Sequence, residues 1–124
     1  MNYIFSAIFL YFFLGFLLYI FQRRIVFNKS GHPGAPKDYN LDNTEEVYIK
    51  TEDNLKLLSW YHKGNNSLPL LVYFHGNSFH IGDRAYRIQR YIEKNWSVLL
   101  VSWRGFGGNK GNPTEKNLYK DAEA

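Results

Sequence analysis

Residues 70–77 read LLVYFHGN: five apolar residues that run into a histidine, a glycine and an asparagine. Such a continuous apolar run predicts a strand that is covered on both faces of a sheet. Downstream the period changes, and four apolar residues recur at helical spacing: Ile81, Ala85, Ile88 and Ile92. Residues 98–101 (VLLV) form a second apolar run. Strand, amphipathic helix and strand together predict a βαβ unit, and therefore a parallel sheet in an α/β fold.

The segments on either side extend this pattern. Residues 46–50 and 55–61 are rich in β-branched and aromatic residues, and the turn residues 52–54 separate them, so an antiparallel hairpin is expected. Asn95 is expected to end the amphipathic helix. A further helix is expected to begin at residues 112–115, with Asn112 as the cap and proline at the first helical position.

The amino terminus predicts a membrane anchor. Tyr3–Phe21 is apolar or aromatic except for Ser6 and Gly15, and as a helix it would span roughly 28 Å, close to the hydrocarbon thickness of a bilayer. A signal-peptide core is the alternative, but a basic region before the run and a small-residue cleavage site after it are both missing. Arg23 and Arg24 follow the span, which favours a cytoplasmic position for the rest of the chain.

These patterns divide the chain into three parts. Residues 1–22 are expected to be a transmembrane anchor, 23–44 a linker rich in Gly, Pro, Asn and Lys, and 45–124 an α/β domain. The lipid bilayer is thus an expected partner. A net charge of +4 is too small to indicate nucleic-acid binding.

No cofactor or metal is expected from the motifs. The glycines of residues 105–108 do not fit a dinucleotide fingerprint, because Lys110 stands where the third glycine is required, and there is no Walker pattern. The chain has no cysteine, and its histidines lack the spacing of a zinc site. They are His32, His62, His75 and His80.

The candidate chemistry lies directly after the first apolar strand. His75, Gly76 and Asn77 fall at the carboxyl end of a parallel strand, the edge where α/β folds bind ligands. Gly76 lets the backbone approach a ligand closely, and Asn77 is able to present its amide N–H to a carbonyl oxygen. Ser78 and His80 also follow, but neighbouring residues on a turn rarely adopt the geometry of a catalytic dyad.

A second glycine-rich loop, Arg104–Asn109, follows the next strand. With it, the sequence resembles the α/β-hydrolase superfamily, specifically the membrane-anchored, Bem46-like group of serine hydrolases. That group has a hydrophobic anchor, a basic and aromatic stretch, a strand that ends in HGN, a YRGYG-x-S loop and an acidic residue followed by alanine. The matching segments are Gln22–Phe27, Phe74–Asn77, Trp103–Gly107 and Asp121–Ala124.

The resemblance implies a role for each of these positions. Asn77, on a loop with His75 and Gly76, would supply an oxyanion-hole N–H. A second set would form a structural loop, namely Arg104, Gly105, Gly107 and Asp121. The family's nucleophile lies in a G-x-S-x-G elbow after the fifth strand, with Asp and His later still. That elbow does not occur in this sequence, so no catalytic residue is assigned.

The sequence departs from the family's pattern at two positions. Phe79 stands where the family usually has glycine, and Asn109 stands where it usually has serine. The large side chain at Phe79 predicts a crowded or distorted loop, whereas Asn109 is still able to form a turn.

Three hypotheses on function remain open. The chain is a truncated and catalytically silent α/β-hydrolase fragment, or one half of a split enzyme that a second polypeptide with G-x-S-x-G completes. A third possibility is a membrane-tethered binding module that reuses the fold. In the family's strand order, the missing fifth strand would leave Leu70–Phe74 as an apolar edge and the isolated domain only marginally stable.

Overall fold

The structure, a computed structural model, describes residues 2–124. Two short 3-10 turns, at Pro36–Tyr39 and Ile81–Arg84, accompany the longer elements. In chain order these elements are α1 (Asn2–Val26), β1 (Asn28–Lys29), β2 (Thr44–Lys50), β3 (Lys56–His62), β4 (Leu70–Phe74), β5 (Ser78–Phe79), α2 (Ala85–Glu93), β6 (Ser97–Val101) and α3 (Glu115–Glu123).

Helix α1 is apolar around most of its circumference. The stretch Tyr3–Val26 is by length and composition a candidate membrane span, and none of its most apolar window is buried inside the protein. It extends past the predicted end at Phe21 and contains Arg23 and Arg24 in its last turn. The helix therefore passes through the end of the predicted anchor into the segment that was predicted to be a linker.

Four strands form the main sheet in the order β2-β3-β6-β4. Strands β2 and β3 are an antiparallel hairpin, with Thr44 opposite His62 and Lys50 opposite Lys56. Strand β6 runs antiparallel to β3 and parallel to β4. The predicted hairpin and the predicted βαβ unit are both confirmed.

One face of this sheet holds the core. Trp60 on β3, Leu100 on β6 and Ile88 on α2 are completely or almost completely buried in a single cluster. The chain between α1 and β2 contributes to it, because Leu41 is buried there and the ring of Tyr39 lies 5.4 Å from that of Trp60. This segment thus packs as part of the domain.

The other face is open at β4. Leu70, Val72 and Phe74 are 40–50% exposed, whereas the residues between them are half-buried. The prediction that this strand is covered on both faces is therefore wrong. Strand β4 is at the sheet edge, with β6 as its only neighbour in the sheet, so its apolar composition does not correspond to burial on both sides.

The ends of the helices were predicted with unequal success. Helix α2 ends at Glu93, and Asn95 adopts the left-handed conformation (φ 64°) that favours asparagine after a helix, as expected. Helix α3 begins at Glu115, two residues later than the predicted first turn, because Thr114 is its cap. The Thr114 hydroxyl accepts a hydrogen bond from the Asn117 N–H (3.2 Å).

Candidate functional site

The loop that follows β4, residues 75–79, is termed the β4 loop. Its first residue, His75, is buried, whereas Gly76 and Asn77 are exposed. A Cβ atom added to Gly76 would have nothing within 4 Å, so the space beside this backbone is empty. Among the described residues, no acceptor meets the backbone N–H of Asn77. The loop therefore presents a free N–H donor at the carboxyl end of β4.

The β4 loop is attached to the end of helix α1. The N–H of Asn28 donates to the Asn77 carbonyl (3.0 Å), and the side-chain amide of Asn77 donates to the Val26 carbonyl (2.7 Å). Strands β1 and β5 continue this contact as a short parallel pair. The Asn77 side chain thus satisfies one of the carbonyls left unpaired where α1 ends, and its backbone N–H remains without a partner among the described residues.

Phe79 has an unfavourable backbone conformation. Its φ is 65°, in the left-handed region that a bulky residue rarely adopts. This conformation costs an L-residue roughly 1–2 kcal/mol. The Bem46-like family usually has glycine at this position. The distortion predicted for the loop at Phe79 is thus a strained backbone conformation. The pairing of Lys29 with Phe79 in the β1–β5 ladder helps to keep Phe79 in this conformation.

His75 joins the β4 loop to the following loop. Its Nε2 accepts a long hydrogen bond from the Trp103 N–H (3.4 Å), and its carbonyl accepts one from the Trp103 indole (2.7 Å). The imidazole packs edge-on against Phe106, with the ring centres 5.2 Å apart. Burial lowers the pKa of His75 to about 4, which keeps the ring neutral near pH 7 and its Nε2 free to accept.

The loop that follows β6, residues 102–111, is termed the β6 loop, and Arg104 is its central residue. The Arg104 side chain is 3% exposed and lies between two carboxylates. Asp121 accepts from its Nε (2.8 Å) and from its backbone N–H (2.9 Å). Asp53 accepts from its Nη1 (2.7 Å) and Nη2 (3.1 Å). The site thus binds the guanidinium on both edges.

This ion-pair cluster shifts the pKa values of Asp53 and Arg104. Hydrogen bonds from Arg104 and Thr51 hold the pKa of Asp53 below its usual range. Hydrogen bonds to Asp53 and Asp121 raise the pKa of Arg104 above its usual range. Asp53 and Arg104 are therefore both charged at neutral pH. The hydrogen bonds of Arg104 anchor the β6 loop to α3 through Asp121 and to the turn of the hairpin through Asp53.

Two glycines allow the β6 loop to turn tightly. Gly105 and Gly107 have φ values of 77° and 56°. A Cβ atom on Gly105 would lie 2.8 Å from both the Gly111 carbonyl oxygen and Pro113 Cδ, so a side chain there would collide. The loop depends on glycine at this position for conformation and for space.

Asn109 completes the structure of the β6 loop. Its side-chain oxygen accepts from the Leu58 N–H (2.9 Å), and its amide donates to the carbonyls of Ser102 (3.1 Å) and Trp103 (3.2 Å). It thereby connects β3 to the end of β6. The shorter serine side chain usual in the family has no second polar group to make these contacts.

Sequence reasoning did not assign a role to Asp53 or to the side chain of Asn109. The hairpin turn at residues 52–54 was recognised, but only the folded chain brings Asp53 to Arg104, 51 residues away in sequence. Ser78 and His80 do not pair with each other, and His80 Nδ1 instead lies 3.1 Å from Asp83. Residues 2–124 contain no group of three His, Asp or Glu side chains placed to hold a metal ion.

The fold is similar to that of known proteins. An α/β hydrolase from Vibrio vulnificus is 29% identical, with a TM-score of 0.54 over 68% of this chain and 29% of that protein. An esterase from Pyrococcus furiosus, at 23% identity, shares the fold with a TM-score of 0.59 over 79% of this chain and 39% of its own. The fold therefore places this chain in the class of the α/β hydrolases.

Sequence comparison makes the assignment more specific. Protein bem46 of Schizosaccharomyces pombe is 32% identical over 89% of this chain and 40% of its own length. An uncharacterized protein of Mycobacterium tuberculosis is 33% identical (89% and 41%). An uncharacterized membrane protein of Saccharomyces cerevisiae is 30% identical (86% and 39%). No protein-family model matches the chain.

The chain is therefore a Bem46-like member of the α/β-hydrolase superfamily and corresponds to its amino-terminal portion. It spans about 40% of the length of the curated relatives it matches. The sheet order agrees with this assignment, since it ends at the edge strand β4.

Proposed function

We propose that this chain supplies the oxyanion-side loop of a membrane-anchored serine hydrolase that transfers an acyl group from an ester, thioester or amide to water. The observation that supports this function best is the backbone N–H of Asn77. It has no acceptor among the described residues, it belongs to an exposed residue, and it lies at the carboxyl end of β4 beside the open space at Gly76.

Stabilisation of an oxyanion requires such a donor. Attack on an acyl carbonyl places negative charge on its oxygen, and preorganised N–H groups about 2.7–3.1 Å away stabilise that charge. Asn77 would provide one donor through its backbone, because its side chain is already hydrogen-bonded to Val26. By resemblance, the second donor would be the residue after the nucleophile. That nucleophile would come from a G-x-S-x-G elbow outside this sequence, so the chain alone is catalytically silent.

The edge of the sheet supports completion by further polypeptide. Leu70, Val72 and Phe74 expose apolar surface on an edge strand, an arrangement that favours pairing with another strand and packing of further elements on that face. We propose that this polypeptide pairs with β4 and brings the nucleophile to the β4 loop. Arg23 and Arg24 in the last turn of α1 support a cytoplasmic position for the assembled domain.

The test is reconstitution in membranes. The full chain is co-expressed with a second polypeptide equivalent to the rest of the bem46 protein of Schizosaccharomyces pombe, and labelling by a fluorophosphonate probe is measured. We expect label on the second polypeptide only when both are present. Label on this chain alone would contradict the proposal that it is catalytically silent, and absence of label from the complex would contradict completion.

Two variants of one residue test the role of the loop. Asn77→Pro removes the backbone N–H, and we expect the hydrolysis rate of a reporter ester by the complex to fall by about a hundredfold or more. Asn77→Ala keeps the N–H while losing the side-chain bond to Val26, and it is expected to retain most activity. Tryptophan fluorescence of both variants checks that the domain is folded. Equal activity in the two variants would contradict the assignment of the N–H.

A further inference from the structure

A cleft of about 570 Å³ opens where α1 leaves its apolar stretch and meets the chain that precedes α3. Three cationic residues line it: Arg23 and Arg24 from the last turn of α1, and Lys29 from β1. Asn28 and Asn112 add neutral polar side chains, and none of the described lining residues is acidic. The cleft thus combines positive charge with hydrogen-bond donors.

The charge of the cleft is not neutralised within the described chain. The ion pairs found in residues 2–124 involve His80, Arg104 and Lys120, and none includes a cation of the cleft. The negative end of the α1 dipole opposes an anion at this place. Both arginines lie in that last turn, however, and the Val26 carbonyl is already occupied by Asn77. A net positive site remains.

The position of the cleft along α1 indicates which anion it would meet. The candidate span of 24 residues would extend roughly 36 Å, somewhat more than the hydrocarbon core of a bilayer. Its last turn would therefore lie at the depth of the lipid headgroups. Arginine is suited to phosphate there, because its planar guanidinium donates two parallel hydrogen bonds.

We propose that this cleft binds the phosphate of an anionic phospholipid from the leaflet in which α1 ends. Three cationic residues from α1 and β1 line a single cleft, which predicts saturable binding of one lipid in place of diffuse attraction to a charged surface. Such a lipid would also contact Asn28, which holds the β4 loop through its bond to Asn77. The proposal depends on α1 as a membrane span and is independent of hydrolase activity.

The experiment uses the full chain in uncharged detergent micelles. Dioctanoyl phosphatidic acid, dioctanoyl phosphatidylcholine and inorganic phosphate are titrated separately, and native mass spectrometry counts the bound molecules. We expect one phosphatidic acid per chain and much weaker binding of phosphatidylcholine. In the double variant Arg24→Gln/Lys29→Gln, the affinity for phosphatidic acid should fall at least about tenfold.

A matched variant controls for total charge. Arg87→Gln/Arg90→Gln also removes two positive charges, from exposed positions on α2 outside the cleft, and it should leave phosphatidic acid binding unchanged. An equal loss in both double variants would overturn the proposal, as would equal binding of the two lipids or no saturable binding. Binding of inorganic phosphate as tight as that of phosphatidic acid would overturn the assignment to a lipid.

Discussion

The β6 loop and the β4 loop follow neighbouring parallel strands, yet they are stabilised in different ways. The β6 loop is internally complete: Arg104 lies between two carboxylates, and the Asn109 side chain makes three hydrogen bonds. The β4 loop has an unpaired N–H at Asn77 and a strained residue at Phe79, and its attachment is to the end of α1. At the same edge of one sheet, the first loop satisfies its own polar groups, whereas the second leaves one backbone N–H without a partner among the described residues.

This difference agrees with the role proposed for the Asn77 N–H as an oxyanion donor. An oxyanion donor is useful only if its N–H has no partner inside the protein, whereas the neighbouring loop has no such requirement. His75 is the contact between the two loops, since it is part of the β4 loop and packs on Trp103 and Phe106. The rigid β6 loop thereby supports one end of the open loop, and α1 supports the other.

The largest expected effect comes from removing the charge at the centre of the β6 loop. Arg104→Met would leave the carboxylate of Asp121, whose side chain is fully buried, without its cationic partner and with only the backbone N–H of residue 104 as a donor. We expect the free energy of unfolding to fall by about 3–5 kcal/mol. Urea unfolding of the full chain in detergent, followed by tryptophan fluorescence, measures the change.

Lys120→Met is the matched control for this variant. It breaks the largely solvent-exposed pair with Glu52 and should reduce stability far less than Arg104→Met. Equal stability of the two variants would show that the ion pairs of Arg104 do not stabilise the β6 loop more than an exposed ion pair does.

The second effect concerns the contact between the two loops and is a dependence on pH. The folded state holds the pKa of His75 at about 4, below the unfolded value of 6.5, so folding favours the neutral ring. This stability is fully present above pH 6.5 and is lost as the pH falls from 6.5 to about 4. The loss amounts to about 3 kcal/mol, from 1.36 kcal/mol for each pH unit. Urea unfolding at a series of pH values measures it.

His75→Gln keeps a polar acceptor without the titrating ring, and it should flatten the profile over this range. His32→Gln changes an exposed histidine and should leave the profile as it is. A pH profile of His75→Gln that matched the unmodified protein would show that the buried ring does not couple the loops.

The smallest effect is a gain in stability in the β4 loop. Phe79→Gly removes the steric cost of the positive φ, because glycine has no Cβ. We expect it to raise the free energy of unfolding by about 1 kcal/mol. Phe79→Ala removes the ring but keeps a Cβ in the same backbone conformation, so it should show no such gain. The same urea titration compares the two. A gain of equal size in Phe79→Ala would place the cost in the exposed ring and exclude backbone strain as its source.

The sequence predicted the parts of this structure that depend on local pattern. The apolar runs at residues 70–74 and 98–101 and the helical period between them were sufficient for the βαβ unit. The apolar run alone overestimated the burial of β4, whereas the family's strand order correctly predicted this strand as an apolar edge. The position of the α3 cap at Thr114 was missed, because Asn112 and Pro113 also fit the start of a helix.

The site was accessible from sequence only in part. The resemblance drew attention to Asn77 and Phe79, but it did not reveal that the Asn77 side chain binds Val26, 51 residues earlier. Asn109 and Leu58 are equally far apart in sequence. Contacts of this kind depend on how strands and loops from distant parts of the chain come together, and no local pattern encodes them.

Hydrogen exchange at two amides tests the contrast between the loops most directly. The Arg104 N–H is buried and bonded to Asp121 (2.9 Å), whereas the Asn77 N–H has no acceptor among the described residues. In the full chain in detergent micelles, NMR should find Arg104 exchanging at least about a hundredfold more slowly than Asn77, a difference of about 3 kcal/mol in protection. Comparable protection of the two amides would contradict the account, because the N–H proposed for the oxyanion would then already be occupied.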